Sequence, residues 1–548
     1  MTRDRIVVTA IFLVFGGSIC RAQTAASGQI RPDETHQTIE GFGASAFYYD
    51  NWLTAHPNKE KIYNYIFKEL GLDILRLGNV YGYQGGSFAP TSMEIVQKAE
   101  KYLGYPVKVM ISSWSPPAYL KSNNSTKNGG TLVKENGAYA YGKYAQYWVQ
   151  SLAAYQKIGI IPEYISIQNE PDWVASYESC MLRETETAVY AGYDKALDAV
   201  YDSLQAFASH PKIMGPEVLG IGYNNFQKYA QRLNRDRLDG YAYHLYHGES
   251  DNVNDNHNPD LFVTNLSAIA KNYPGKPIFQ TEYDRGDWFN TAWLMHNALV
   301  HGNASAYLYW GLFWDVQSGS PLVALENPWN RSGWKTSEGY RMTDAYYAFR
   351  QFSKFIDPGW KRITATVDSN PLRISTFISA DGDSLTAIIL NVSQASETLS
   401  LDPGGYLASS SRVIRTSETE KGAELGPFDA STPIVLPGRS ITTIVLQGTP
   451  SAVKREESRP SGFFLESNYP NPFNSQTFIR FGLSRRTDAV LKFADLMGRT
   501  VRELRLGILP AGPHRVRFDA TGLPAGVYVF RLETGEGMSA ARKMIVSK

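Results

Sequence analysis

Two glutamates that lie far apart in the sequence each end a short apolar run with the composition of a β-strand. Glu170 ends YISIQNE, which begins at residue 164, and Glu282 ends PIFQTE, which begins at residue 277. Pro171 cannot donate to a sheet ladder, so we predict that the first run stops there. One carboxyl that holds its proton and one that stays ionised can together provide acid catalysis and nucleophilic attack. The question is which fold brings the two acids together.

Eight strand-like runs lie between residues 41 and 310, and helical segments separate them. Helical segments such as NKEKIYNYIFKELG and ETAVYAGYDKALDAVYDSLQAFA carry apolar residues at three- and four-residue spacing. This alternation predicts an α/β fold, a (β/α)8 TIM barrel, over residues 41–353. An open doubly wound sheet is the alternative, although no G-x-G-x-x-G loop follows the early strands. The runs are GFGAS at 41, LDILRLG at 72, VKVMISSW at 107, YISIQNE at 164, IMGPE at 213, YAYHLY at 241, PIFQTE at 277 and SAYLYW at 305.

In such a barrel the reacting groups stand at the carboxyl ends of the strands. Strict alternation puts Glu282 on the face of Gln280 and Ile278, with Phe279 on the other face. We therefore expect Glu170 and Glu282 to enter the mouth of the barrel from roughly opposite sides. Two carboxylates that flank a sugar bond are the machinery of glycoside hydrolysis.

The same strand ends supply candidate substrate-binding residues. An arginine beside Glu282 would keep it charged, a histidine and a tyrosine would hydrogen-bond to Glu282 and to sugar hydroxyls, and tryptophan faces would stack on sugar rings. Taken singly, each also has an ordinary structural explanation, such as an ion pair or a core ring. The candidates are Asn169, Trp114, Trp173, His244, Tyr246, Trp310 and Arg76.

The rest of the chain predicts further units. Alternating strands and turns over 354–447 indicate a side β-sandwich domain, which the segment 24–40 is expected to join. A polar linker over 448–463 precedes a small all-β sandwich domain at 464–548. Residues 1–23 have the charged start, apolar middle and small-residue exit of a signal peptide, with a retained anchor as the alternative.

Composition narrows the classes of partner. The net charge of +1 over 548 residues gives no electrostatic case for nucleic acid, and no membrane span is expected in the mature form. Of the two cysteines, Cys20 falls in the signal and Cys180 is expected to be inert, so no disulfide framework is predicted. We expect no cofactor and no metal.

Residues 38–447 resemble glycoside hydrolase family 30. The resemblance rests on the ordered motifs GFGAS, LRLG, SSWSPPAYLKSNNS, ISIQNEPDW, YHLYHG, TEY and GYRMTDAYYAFRQFSKFIDPGWKRI. It implies that Glu170 is the general acid/base, that Glu282 is the nucleophile and that the reaction retains configuration. The motifs WSPPAYLKSNNS and FSKFIDPGWKRI resemble the bacterial xylanase branch, which implies a secreted enzyme acting on β-1,4-xylan. Strict dependence on glucuronic acid is not expected, because the loop after the eighth run begins with aromatics and an aspartate, and Arg331 comes late in it.

Alternatives remain at this stage. The enzyme could instead act on the substrate of another family 30 member, such as a β-glucosylceramide or a β-1,6-glucan. Alternatively, the chain could be a carbohydrate-binding surface protein that does not hydrolyse its ligand. The C-terminal motifs NYPNPFN, ADLMGRTVREL and LPAGVYVFRLE resemble a type IX secretion sorting domain, which implies the outer-membrane export machinery as a partner and a secreted or cell-surface location. An extra carbohydrate-binding module is the alternative there.

Overall fold

The structure is a computed structural model of the chain. It describes residues 25–83, 90–207, 210–246, 258–317, 319–335, 337–450, 463–468, 471–483, 485–509, 512–535, 537 and 539–547. The predicted signal peptide at 1–23 and most of the predicted linker lie outside the described residues. The chain divides into two compact units, 1–451 and 452–548. The finer domain boundaries given above remain predictions.

The first unit contains a closed barrel of eight parallel strands, which confirms the predicted fold class. Each of the eight predicted runs contributes one strand, and neighbours in the barrel follow the order of the chain. The first strand lies so close to the second that a Cβ on Gly43 would stand 2.4 Å from the carbonyl oxygen of Ile74. The barrel strands, first to eighth, are Gly41–Ser45, Ile74–Gly78, Lys108–Ser112, Tyr164–Ser166, Lys212–Val218, Gly240–His244, Ile278–Glu282 and Ala306–Tyr309.

Helices surround the barrel and cover its outer face with apolar residues. The predicted helix from residue 186 begins only at Tyr193, after the extended Gly192. The helices are Asp50–Thr54, Lys59–Tyr63 with a π-helical continuation Asn64–Glu69, Ser92–Leu103, Tyr141–Lys157, Tyr193–Leu204, Asn225–Ala230, Val263–Asn272, Trp288–Val300 and Asp344–Ser353.

The inside of the barrel is filled by its own apolar layer. Seven of the eight strands contribute to this layer, which closes the barrel beneath the strand ends. Because side chains alternate along a strand, the layer fixes which residues above it point inward. Its members are Ile74, Met110, Tyr164, Met214, Ala242, Phe279, Ala306 and Leu308.

A nine-stranded β-sheet system packs with the barrel in the first unit. The N-terminal strand Ala26–Thr38 pairs antiparallel with Lys361–Val367 and parallel with Glu397–Asp402. The side sheets therefore include one strand that precedes the barrel in the sequence. In spatial order the strands are Lys421–Gly426, Tyr406–Thr416, Ser440–Pro450, Ser384–Asn391, Leu372–Ile378, Lys361–Val367, Ala26–Thr38, Glu397–Asp402 and Ile434–Leu436.

The second unit is all β in its described residues. It has a three-stranded and a four-stranded sheet around an apolar core that includes Phe493, Phe518 and Phe530. Among the described residues of the whole chain, no helix is both long and apolar enough to cross a membrane. The strands of this unit are Phe464–Leu465, Gln476–Leu483 and Gly512–Asp519 in one sheet, and Thr500–Leu509, Thr487–Asp495, Gly526–Thr534 and Ser539–Val546 in the other.

Candidate active site

A polar layer lies directly above the apolar layer inside the barrel. Regular alternation places it there: Arg76, Ser112 and His244 each follow an apolar-layer residue by two positions. All three side chains are fully buried. The barrel therefore presents a cation, a hydroxyl and an imidazole at its mouth by strand geometry alone.

Two glutamates join this layer through irregularities in the strands. In the seventh strand, Gln280 pairs with Tyr243 but Glu282 pairs with His244, so one extra residue separates them. In the fifth strand the same kind of shift falls between Pro216 and Val218, around Glu217, whose φ of 55° is left-handed. A β-bulge redirects the side chains that follow it. Both carboxylates therefore turn inward.

The prediction that Ile278 and Glu282 share one face of the seventh strand was wrong, although Glu282 does point into the mouth of the barrel as expected. Phe279 belongs to the apolar layer inside the barrel, whereas Ile278 packs outward against the helices. Regular alternation from Phe279 would have pointed Glu282 away from the mouth. The bulge, which the residue pattern does not reveal, brings Glu282 inside.

Glu170 reaches the site from a segment beyond its strand. The fourth strand ends at Ser166, earlier than Pro171 alone predicts. Asn169 N then donates to Ser113 O at 2.7 Å, and Glu170 N donates to Glu217 O at 3.0 Å. These bonds hold the segment between the third and fifth strands, with Glu170 in the left-handed region at φ 44°. The carboxyl of Glu170 is thus held in place by backbone contacts on both sides.

Arg76 connects most of the polar layer. Its Nη1 donates to Glu282 Oε2 at 2.6 Å, and its Nη2 donates to Asn169 Oδ1 at 2.5 Å. Nη2 also lies 3.1 Å from Glu217 Oε1, and the guanidinium carbon lies 4.4 Å from the centroid of the Trp114 ring. A buried guanidinium that contacts two carboxylates holds both in fixed positions.

His244 and Tyr246 each form a hydrogen bond with a different candidate catalytic acid. Tyr246 Oη donates to Glu282 Oε1 at 2.9 Å. His244 Nδ1 instead forms its hydrogen bond with Glu170 Oε1, at 2.9 Å, and its Nε2 stays 3.8 Å from Glu282 Oε2. The expectation that both residues hydrogen-bond to Glu282 is therefore wrong for His244. The side chain of His244 points inward from the end of the sixth strand, and there it meets Glu170.

The environments of the buried acids push their proton affinities apart. Burial raises the pKa of Glu170 to about 7, although the hydrogen bond from His244 opposes this. Burial also opposes the charge on Glu217, but the neighbouring Arg76 and His244 lower its pKa to about 2. His244 loses solvation as well, yet the surrounding carboxylates raise its pKa to about 9. At neutral pH, therefore, Glu170 can hold a proton while Glu217 is ionised and His244 is cationic.

The separation of the two candidate catalytic acids is short. One oxygen of Glu170, one oxygen of Glu282 and one ring nitrogen of His244 all lie within 4.8 Å of one another. Carboxyls about 5–5.5 Å apart are typical of retaining glycosidases, whereas inverting enzymes leave room for a water molecule. The trio also has the spacing of metal ligands, but Arg76 and His244 already bind these carboxylates as cations, which disfavours a metal ion here.

A cleft of about 620 Å³ opens above the acids, and aromatic rings form much of its wall. Trp310 is half-buried in this wall and Trp173 is exposed on it, so both offer ring surface to a ligand. Trp114 also lines the cleft, but it is almost fully buried and its ring packs against Arg76. The lining residues are Tyr48, Tyr49, Trp114, Lys127, Glu170, Trp173, Tyr177, Glu178, Leu219, Tyr246, Glu282, Asp284, Arg285, Trp310 and Trp314.

The structure thus brings every candidate residue of the sequence analysis to one site, and it adds one. This residue is Glu217, which the sequence analysis did not consider; regular alternation from Met214 would place it on the outer face of its strand. The signal available was weak: a glutamate at the end of IMGPE, at the same strand end as the other candidates. Cys180 is fully buried, and burial raises the pKa of its thiol to about 11, which disfavours a reactive thiolate.

Replacing Glu217 by Gln tests the ion network without reference to activity. We expect a loss of about 3 kcal/mol of unfolding free energy at pH 7, because the buried cations Arg76 and His244 then have one carboxylate fewer to balance their charge. The pKa of Glu217 is lowered when the chain folds, so its contribution is present above pH 4.5 and lost as the pH falls towards 2. The difference in unfolding free energy between the wild type and Glu217→Gln, measured from urea midpoints, should therefore become smaller below pH 4.5.

A matched control for this prediction is Glu338→Gln. Glu338 forms an exposed pair with Lys61 at 3.1 Å, and such a pair contributes about 0–1 kcal/mol. Equal losses in the two variants, or a difference from the wild type that does not change with pH, would contradict the assigned role of Glu217.

Comparison with known proteins agrees with this architecture. The model of the glycosyl hydrolase family 30 TIM-barrel domain matches residues 90–207, which include Glu170. The match identifies a glycoside hydrolase family 30 barrel domain in this chain. Putative glucosylceramidase 2 of Caenorhabditis elegans is 26% identical over 410 residues, which cover 66% of this chain and 75% of that protein. Glucuronoxylanase XynC of Bacillus subtilis is 23% identical over 459 residues, which cover 80% of this chain and 96% of that protein.

Solved structures support the fold of this glycoside hydrolase. The catalytic domain of GH30 xylanase C from Talaromyces cellulolyticus superimposes with a TM-score of 0.59 at 21% identity, over 77% of this chain and 100% of that one. The model of the secretion system C-terminal sorting domain matches residues 467–547. The second unit is therefore a type IX sorting domain, which supports export to the cell surface or beyond.

Proposed function

We propose that this glycoside hydrolase cleaves β-1,4-xylan with retention, using Glu282 as nucleophile and Glu170 as general acid/base. The observation that carries the proposal is the short separation of two buried carboxyls in different environments. Glu170 has the raised pKa of an acid, while Glu282 receives hydrogen bonds from Arg76 and Tyr246. This is the division of roles that double displacement requires.

In the first step Glu282 attacks the anomeric carbon of the sugar. The bond to the leaving oxygen breaks, and Glu170 gives that oxygen its proton. Oε1 of Glu170 accepts from His244, which leaves Oε2 to carry the proton towards the substrate. In the second step the ionised Glu170 removes a proton from water, the water oxygen bonds to the anomeric carbon, and Glu282 is released as a carboxylate.

Xylan is the proposed substrate for two reasons. The motifs around Trp114 and after residue 339 resemble the xylanase branch, and a glucuronoxylanase aligns over nearly its full length. The cleft is walled by aromatic rings that suit the apolar faces of sugars. Arg331 does not line the cleft: it is exposed, and its guanidinium carbon lies 5.8 Å from the centroid of the Trp334 ring. We therefore propose no strict requirement for a uronate on the chain.

The deciding experiment is product analysis on a panel of polysaccharides. We expect hydrolysis of glucuronoxylan and of unsubstituted xylan at comparable rates, measured as reducing-sugar release. A strong preference for glucuronoxylan would overturn the statement about the uronate. Hydrolysis of β-1,6-glucan or of a glucosylceramide, with xylan left intact, would overturn the choice of substrate but not the roles of the acids.

The pH profile offers a separate test of Glu170. Because the acid must be protonated, kcat/KM should fall as the pH rises above about 7, the pKa of Glu170. The cationic imidazole of His244 and its hydrogen bond lower the pKa of Glu170, and His244→Gln removes both. The falling limb should therefore move to higher pH, and the profile of kcat/KM for this variant measures the movement.

Asp284 is the matched control for the pH profile. It lines the same cleft, and burial together with Glu282 raises its pKa to about 7 as well. Asp284→Asn should leave the falling limb in place. If this variant removes the limb, or if the limb of His244→Gln moves to lower pH, Glu170 is not the group that sets it.

A further inference from the structure

Four aromatic side chains form one continuous cluster at the edge of the cleft, here called the rim cluster. Tyr49 stacks on Trp52 with ring centroids 4.3 Å apart, and Trp329 meets both rings edge to face, at 5.0 Å and 4.7 Å. Trp314 completes the cluster, 5.4 Å from Tyr49 and 5.6 Å from Trp52. The rings fix one another, so their orientation does not depend on a ligand.

The outer part of the rim cluster is strongly exposed. Trp329 exposes 63% of its surface and Tyr49 39%, whereas Trp52 beneath them exposes 4%. A large ring held at the surface by other rings keeps its apolar face in water, and this costs free energy until a ligand covers it. The feature therefore needs an explanation beyond packing.

The loop that carries Trp329 is well supported. It leaves the strand Val323–Leu325, which forms a small sheet with Phe313–Asp315 and Tyr340–Met342. Within the loop, Trp334 Nε1 donates to Glu326 O at 2.5 Å, and Arg331 N donates to Asn327 O at 2.7 Å. Trp329 is thus presented by a folded loop, as a preorganised binding surface requires.

The position of the rim cluster relates it to the proposed substrate. Tyr49 and Trp314 belong to the wall of the catalytic cleft, so Trp329 extends that wall outward. Trp329 follows the eighth barrel strand, while the exposed Trp173 follows the fourth. In a closed eight-stranded barrel these two strands stand opposite each other. Exposed indole rings therefore lie at two opposite sides of the mouth.

We propose that Trp329, together with Tyr49, is a distal sugar-binding subsite for a β-glycan chain that crosses the cleft and continues past the catalytic acids. The inference rests on the proposed function and deepens it. An enzyme that binds the glycan on both sides of the acids hydrolyses bonds within the glycan chain. The occupant is a neutral sugar ring, whose apolar C–H face matches the exposed indole and phenol faces. The subsite therefore adds to binding only for a substrate long enough to cover Trp329.

Replacing Trp329 by Ala tests the subsite through its dependence on chain length. On aryl disaccharides kcat/KM should remain that of the wild type. On hexasaccharides and polymer it should fall about three- to tenfold, the loss expected for one aromatic contact. Trp329→Phe should recover part of the loss, because it restores a smaller flat ring. The products from polymer should also shift in length, since one contact that sets the register of the chain is gone.

The matched control is Phe207→Ala. Phe207 is an exposed aromatic residue that precedes the fifth barrel strand, so it lies at the end of the barrel away from the cleft. It should show no dependence on chain length. An equal effect of Trp329→Ala on short and long substrates, or no effect on either, would overturn the subsite.

Retention of the same variants in gels that contain dissolved xylan or β-1,6-glucan separates the subsite from the proposed function. Weaker retention of Trp329→Ala than of wild type supports the subsite even where hydrolysis of xylan fails. Two outcomes count against the subsite: Trp329→Ala is retained as strongly as the wild type in every glycan that retains the wild type, or no glycan retains the wild type. Either outcome would leave another partner, such as a protein surface, to cover the ring.

Discussion

Replacing Glu282 by Gln should abolish hydrolysis while the protein still binds its glycan. The amide has nearly the shape of the carboxylate and can still accept from Tyr246, but it cannot form the ester that links sugar to enzyme. We expect kcat to fall by roughly 10⁵-fold or more, the scale seen when an enzyme loses its nucleophile. The measurement is steady-state hydrolysis of xylan, combined with glycan binding by titration calorimetry.

This variant also decides between an enzyme and a non-catalytic carbohydrate-binding protein. A binder shows no hydrolysis in the wild type, so it has none to lose. Substantial residual turnover in Glu282→Gln would remove Glu282 from the mechanism. Melting temperature provides the folding check, because the variant leaves Arg76 with Glu217 as its buried anionic partner, 3.1 Å away.

The site shows which parts of such a fold a residue pattern can predict. The eight strands were recognisable because each is a short apolar run bounded by turns or helices, and the ends of these runs carry the polar residues. Arg76 and His244 follow from this pattern alone, since regular alternation leads from the apolar layer to them. Their closeness to the glutamates then follows from closure of the barrel.

The parts that escaped prediction depend on pairing between strands. An extra residue in the fifth strand turns Glu217 inward, and another in the seventh turns Glu282 inward. A bulge is set by the register of neighbouring strands, which are distant in sequence. Glu217 also adopts a left-handed backbone conformation that is uncommon for residues other than Gly, Asn and Asp, so its local sequence gave no sign of it. Its energetic partners, Arg76 and His244, belong to other strands.

The correction for His244 has a chemical consequence. Because His244 is hydrogen-bonded to Glu170 rather than to Glu282, it moderates the proposed acid instead of the proposed nucleophile. Burial alone would raise the pKa of Glu170 further, and an acid that never ionises near neutral pH cannot become the base of the second step. The histidine therefore keeps Glu170 near the value at which both roles are available, and Glu217 helps to keep the histidine charged.

Replacing Glu170 by Ala should separate the two steps of the reaction. For aryl glycosides with a poor leaving group, kcat/KM should fall by about 10²–10⁴-fold, because the departing oxygen no longer receives a proton. With a strongly acidic phenol as leaving group, this first step needs no proton and kcat/KM should change little. The second step still lacks its base, so the glycosyl-enzyme should accumulate, and kcat and KM should fall together.

Azide gives the confirming result for this variant. It attacks the anomeric carbon as an anion and therefore needs no base, so it should restore kcat in Glu170→Ala and release a glycosyl azide of retained configuration. In Glu282→Ala the same anion would take the place of the missing carboxylate and give the inverted azide. If azide rescues neither variant, or gives these configurations the other way round, the roles of the two glutamates are not those proposed. The dependence on the leaving group then shows whether Glu170 acts as an acid at all.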